Sequence, residues 1–246
     1  MTEPEEIVLK APLVSDGESL KYSIKKQEGG ELLGQRTYSI NKVIGGGKEC
    51  YKVFVKTESN NQELRETIDE TSIIEISDVL TPISRHMITT VKDGKVIYDT
   101  FSNYEEFEKP INCCASLSTV GLSLRDCPFT PKSNISINVM MVDRFFKVNA
   151  TVAKEKEVIK VPAGTFECHK VELVPDIASL LEQLPTGFNF PQAFYTLAQK
   201  LASRFMPSVH FWYSTKDPCI PIKYEGVEPL SSSVGEPIIE ELLSIE

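Results

Sequence analysis

Basic clusters, histidine and long apolar runs are all scarce in this sequence. Lys and Arg total 26 against 35 Asp and Glu, a net charge of -9, and no basic cluster exceeds Lys25-Lys26. Such a chain repels a phosphate backbone, which excludes nucleic acid as a partner. No stretch approaches the ~20 apolar residues of a membrane span. The acidic start, Met1 to Glu6, lacks the basic segment and long apolar core of an export signal. As written the chain is expected in the cytoplasm; an envelope location follows if it is a processed form.

The chemistry of most enzyme classes is also thin. Three histidines, His86, His169 and His210, fall in separate predicted strands with no metal-ligand spacing, so no metal and no cofactor are expected. Gly45-Gly46-Gly47-Lys48 fails as a phosphate loop, because Lys42 and Glu49 stand where a Gly and a Ser or Thr are needed. Paired acids such as Glu105-Glu106 and Glu240-Glu241 read as solvated faces, and no catalytic residue is assigned. Six cysteines form no disulfide framework. Cys113-Cys114 reads as two small residues of a reduced protein or as a redox or metal pair. Cys168 with His210 across neighbouring strands is the one thiol dyad the pattern permits.

What is present is alternation. With 41% hydrophobic and 25% charged residues the chain can bury a core. Period-two patterning dominates residues 18–174. Leu20, Tyr22 and Ile24 open a meander, with turns at Glu28-Gly29-Gly30 and at the triple glycine, and a third strand through Tyr51, Val53 and Val55. Asp93-Gly94 predicts a hairpin between residues 87–91 and 96–98. Ile135, Ile137, Val139 and Met141 share one face, as do Phe146, Val148, Ala150 and Val152, with a turn at Asp143-Arg144. Val161-Pro-Ala-Gly-Thr-Phe166 joins two further strands, and residues 209–214 and 220–224 form another pair around Asp217-Pro218. Residues 237–246 suit a closing strand better than a short helix. Residues 101–128 read as an irregular crossing segment with at most one helical turn.

The period changes over residues 176–206. Ile177, Leu180, Leu181 and Leu184 share a helical face before Pro185, and Phe194, Leu197, Ala198, Leu201 and Phe205 do so after Pro191. The expected architecture is one domain over 1–246, mainly β (α+β), with this helical hairpin as an insert. Aromatics gather nearby: Phe188, Phe190, Phe194, Phe205 and then Phe211-Trp212-Tyr213. In a strand Phe211 and Tyr213 share a face and Trp212 takes the other. Either the helices roof an apolar cavity, or they fill the sheet's inner face and these rings are core.

The strings Val161–Leu173, Phe211–Asp217 and Ile220–Lys223 resemble an uncharacterised family of prokaryotic envelope-type domains with a VPAGTF corner and a WYS strand. That family is similar in architecture to the periplasmic lipoprotein carriers. The resemblance implies a strongly curved antiparallel sheet, a half-barrel, with the helical hairpin over its concave face and room there for an apolar ligand. This chain departs from the family in lacking an export signal and in its longer insert.

The leading expectation is therefore a non-catalytic binding domain for a lipid or other apolar small molecule. Its candidate ligand residues are Phe188, Phe190, Phe194, Leu197, Leu201, Phe205, Phe211 and Tyr213. A second is a structural or protein-interaction module anchored by Phe188 and Phe190. The last is a cysteine-dependent hydrolase or redox enzyme.

Overall fold

Alternating side chains become strands only where a turn lets the next run fold back, and this chain supplies such turns repeatedly. The structure, a computed structural model, describes residues 7–63, 65–141, 144–176, 209–227 and 237–246. Six strands form the first meander: β1 (Glu18–Lys26), β2 (Leu32–Gly45), β3 (Lys48–Ser59), β4 (Thr67–Glu75), β5 (Thr81–Val91) and β6 (Lys95–Asn103). Then come the two-residue β7 (Cys113–Cys114) and a single α-helix among the described residues, α1 (Leu117–Ser123). The second run comprises β8 (Asn134–Met141), β9 (Arg144–Val161), β10 (Gly164–Pro175), β11 (Val209–Ser214), β12 (Pro221–Val227) and β13 (Pro237–Ile245).

All thirteen strands belong to one sheet, ordered β6-β5-β4-β3-β2-β1-β13-β12-β11-β10-β9-β8-β7. Every neighbouring pair is antiparallel except β7 with β8, so the sheet is mixed, and it does not close into a barrel. The expected turns are in place. Gly46 and Gly47 take φ of 60° and 81° between β2 and β3, a left-handed pair that glycine adopts without steric cost. Val161 stands opposite Gly164, leaving Pro162-Ala163 as the two-residue corner. The C-terminal segment is a strand, as expected, and β13 pairs with both β1 and β12.

One face of the sheet carries the core. Ile135, Ile137 and Val139 on β8 are wholly buried, and Val148, Ala150 and Val152 on β9 nearly so. Leu20 on β1, Ile222 on β12 and Leu242 on β13 continue that layer. Each buried Val, Leu or Ile side chain of the layer contributes about 1.5–3 kcal/mol.

Three sequence expectations need correcting. Residues 101–128 are more ordered than expected: β6 runs to Asn103, and β7 and α1 follow. Ser116 caps α1, accepting from the Thr119 amide, while the Ser116 amide donates to Thr119 Oγ1. Second, β4 had no counterpart in the sequence reading. Its buried positions hold Glu70 and Ser72 before Ile74, so the apolar alternation is missing. Third, Glu240-Glu241 is not a solvated face. Adjacent strand residues point opposite ways, and Glu240 is buried while Glu241 meets Lys25 Nζ at 2.6 Å. The expected helical hairpin at 176–206 lies, apart from Asp176, outside the described residues.

Candidate functional site

The site is built where α1 crosses the inner face. Ser116 donates to Glu70 Oε1 at 2.5 Å, and Ser118 to Glu70 Oε2 at 3.3 Å, which fixes the start of α1 to β4. Arg85 on β5 completes that contact, with Nη2 at 3.1 Å from Glu70. At the other end of α1, the Gly121 carbonyl accepts from Tyr213 Oη at 2.9 Å. Gly121 has no side chain for a reason: a Cβ there would lie 2.9 Å from Phe211 Cε1. Beyond α1, Arg125 forks onto Glu18 of β1 at 2.5 and 3.1 Å. A seven-residue helix is thus held from β1, β4 and β11 at once.

Beside α1 lies a small, partly open cleft with a cavity volume of about 20 Å³. Leu20, Tyr22, Leu122, Phe211 and Tyr224 supply its apolar lining. Tyr38, Ser118 and Glu240 add polar atoms. Its aromatic rings make two contacts, Phe211 5.0 Å from Tyr224 and Tyr22 5.7 Å from Tyr38, centroid to centroid. Arg36 donates to Glu240, and its Nε to Thr57 Oγ1 at 2.9 Å, so the buried carboxylate at the cleft is paired. Burial raises both tyrosine hydroxyls, Tyr22 and Tyr38, above the ordinary phenol range and keeps them neutral donors. Tyr22 spends its proton on the Pro221 carbonyl at 2.7 Å.

The structure places two of the eight expected ligand residues. Phe211 borders the cleft, and Tyr213 is fully buried beneath α1, packed on Phe129 and Phe211. The other six, Phe188, Phe190, Phe194, Leu197, Leu201 and Phe205, lie outside the described residues. Trp212 faces the other way, as alternation requires. Its indole donates to Glu157 at 2.7 Å, between the ammonium groups of Lys170 and Lys223. Leu20, Tyr22, Tyr38, Leu122, Tyr224 and Glu240 were missed as site residues. Only the Ser116/Thr119 capping spacing, ahead of Val120 to Leu124, signalled that a helix would bring them together.

Register sets Cys168 opposite Ser214 and His210 opposite Glu172, so the permitted Cys168–His210 pair is separated by four residues of strand, about 13 Å. Cys113 and Cys114 are both buried on successive positions of β7, pointing to opposite faces. Burial pushes the Cys114 and Cys168 thiols up to about 12, and Cys127 to about 11. Among the described residues no group of three His, Cys, Asp or Glu is placed to share a metal ion. No described helix is long and apolar enough to cross a membrane.

No protein-family model and no curated protein matches the chain. Two solved structures are similar in outline. One is a protein of Bacteroides fragilis NCTC 9343 described as exported, with a YmcC-like fold; identity is 10%, the TM-score 0.43, and the match covers 98% of this chain and 100% of that one. The other, from Parabacteroides distasonis ATCC 8503, is described as a lipoprotein, with 10% identity, a TM-score of 0.32 and the same coverage. At such identity and scores neither likeness carries a conclusion about this chain. The expected cytoplasmic location gains no support from them.

Proposed function

We propose that the chain is a non-catalytic binding domain that takes a lipid or similarly apolar molecule into the cleft beside α1. The observation that carries this reading is the cleft's lining, four aromatic rings with Leu20 and Leu122, in which the one buried carboxylate is already paired. A ligand there would meet apolar carbon and few unanswered polar groups, as small-molecule clefts require.

In this reading the sheet bends into a half-barrel around α1. Its support is the pair of contacts made by Glu70 and Tyr213. They reach Ser116 and Gly121, about 7.5 Å apart along a helix, yet β4 and β11 stand third and ninth in the sheet. A flat sheet would separate those strands by about 29 Å. Because α1 itself occupies much of the inner face, ligand space is confined to its flank. Phe188, Phe190, Phe194, Leu197, Leu201 and Phe205 are proposed as further apolar ligand contacts.

Mass spectrometry of organic extracts from gently purified protein tests the idea directly. A co-purifying lipid is expected, as is binding of a fluorescent acyl probe that Tyr224→Ser weakens about tenfold, more than the Tm lost with the Phe211 contact explains. Empty extracts together with no probe binding would overturn it.

A further inference from the structure

We propose that the chain forms a two-fold dimer by pairing β6 with β6 of a second copy. This inference is independent of the cleft. Among the described residues β6 ends the sheet on one side. It is open on both faces, with Val96, Ile97, Tyr98 and Phe101 exposed by 52, 50, 43 and 66%. Proteins guard such edges with proline, inward charge or a covering element, because a bare edge templates another strand. β6 has no proline, and its charged residues are Lys95 and Asp99 alone.

The backbone fixes which residues would pair. The Tyr104 amide donates to the Ile83 carbonyl at 2.8 Å, and these residues continue the ladder beyond Ser84 and Asn103. Antiparallel ladders alternate between pairs that exchange such bonds and pairs that do not. Thr100 and Ser102 therefore bond to β5, while Asp99, Phe101 and Asn103 direct their N–H and C=O groups outward. A second β6 must match outward groups to outward groups.

Five two-fold registers, centred on residues 99 to 103, satisfy that condition. Centring on Ser102 brings Asp99 against Glu105 of the second copy, and centring on Asn103 sets Phe101 against Glu105, so neither is complementary. One centred on Asp99 sets two carboxylates directly opposite, which is repulsive. One centred on Thr100 sets each Asp99 against a phenyl ring. The register centred on Phe101 stacks Phe101 on its copy and faces Asp99 with Asn103 of the second copy, twice. The hydrogen-bonding groups fit. Asn103 Oδ1 already accepts from the Glu105 amide at 3.1 Å, which leaves Nδ2 to donate. Asp99 Oδ1 is held by His86 Nε2 at 2.8 Å, which leaves Oδ2 to accept. His86 also buttresses the Phe101 ring edge-on at 6.1 Å. The strand is thus complementary to itself about Phe101, and the occupant it fits is a second copy of this chain.

Light scattering on the full chain at about 100 µM decides the matter, a concentration at which a contact of about 1 µM is nearly saturated. The wild type is expected at twice the 27.5 kDa chain mass. Phe101→Lys should fall to a single chain with Tm unchanged, since the ring is mostly exposed. Phe101→Cys should cross-link into dimers on mild oxidation, whereas Val96→Cys, far from its own copy in this register, should not exceed the wild-type background. A monomeric wild type, a Phe101→Lys dimer, or equal cross-linking from Val96→Cys would each overturn the proposal.

Discussion

Glu18 on β1 receives both terminal nitrogens of Arg125, at 2.5 and 3.1 Å, with the two side chains 6 and 2% exposed. This contact ties the turn after α1 to a central strand. Removing one member of a buried pair leaves the other charge without compensation, at a cost of about 3–5 kcal/mol. Arg125→Met should lose about that much in urea unfolding. The double variant Glu18→Leu/Arg125→Met should lose clearly less than the sum of the two single changes. Additive losses would mean that the two side chains are not coupled.

Asn112 is a second tie point, fully buried just before β7. Its Oδ1 accepts from the Leu9 amide at 2.6 Å, and its Nδ2 donates to the Ile7 and Ser136 carbonyls at 2.7 and 2.9 Å. Leu9 in turn accepts from Leu80, so the N-terminal segment straps the β4–β5 turn to the far edge of the sheet. Asn112→Ala would orphan three backbone groups and place alanine at φ 55°. A loss of about 2–4 kcal/mol in chemical denaturation is expected. Asn112→Asp keeps the acceptor but sets a buried carboxylate against the Ile7 and Ser136 carbonyls, and should cost at least as much as alanine at neutral pH.

Thiol reactivity separates the binding reading from a cysteine-dependent one. Cys219 is the most accessible of the six cysteines. Burial, and then Asp217, raise its thiol above the ordinary range. At neutral pH, Cys219 should therefore react first but more slowly than an unperturbed thiol, and the other five only on unfolding. A fast thiolate at Cys113, Cys114 or Cys168, read by site-resolved alkylation, would restore the enzyme alternative.

Acid should weaken the fold through two imidazoles. Burial holds His169 below its ordinary 6.5, helped by Lys156 and opposed by Glu167. Burial likewise lowers His210, with Lys170 adding and Glu172, Glu225 and Glu157 opposing. The unfolded chain then takes up these protons first. Stability is complete above about pH 6.5 and declines as the pH falls through and below that value. Both rings are partly exposed, so the slope is shallow. His169→Phe, which keeps the stack on Phe129 at 5.0 Å, should flatten part of it in a Tm series from about pH 8 to 5.

Cleft geometry can be altered from the helix side. Gly121→Val would drive a side chain into Phe211, and overpacking of that kind costs about 1–3 kcal/mol. The displaced ring should narrow the cleft and lower acyl-probe binding more than the stability loss alone explains. Binding that follows only the folded fraction would place the ligand elsewhere.

The strand ladder was legible wherever turn chemistry is local. Gly46-Gly47, Asp93-Gly94 and Pro162-Ala163 each specify a hairpin within a few residues, and the runs beside them alternate cleanly. β4 was not legible, because Glu70 occupies an inward position to hold Ser116 and Ser118. Glu240 misled for the same reason, since its partner Arg36 lies 204 residues away. Nothing in a single sequence announces which acid will find a distant arginine. The site escaped notice because it is assembled from residues of β1, β2, α1, β11, β12 and β13, most of which read as ordinary core in their own strands.

Although β13 comes last in sequence among the described strands, it sits seventh in the sheet, between β1 and β12. The hairpins on either side can form before residues 237–245 are made, but the backbone ladder between β1 and β12 waits for them. Until then, among the described residues, only α1, Arg125 and the N-terminal strap can hold the halves together. Deleting that stretch would leave two sticky halves rather than a shortened protein. A chaperone that shields the exposed rims of β1 and β12 during synthesis would therefore matter more to the yield of this chain than to one whose final strand lies at a border.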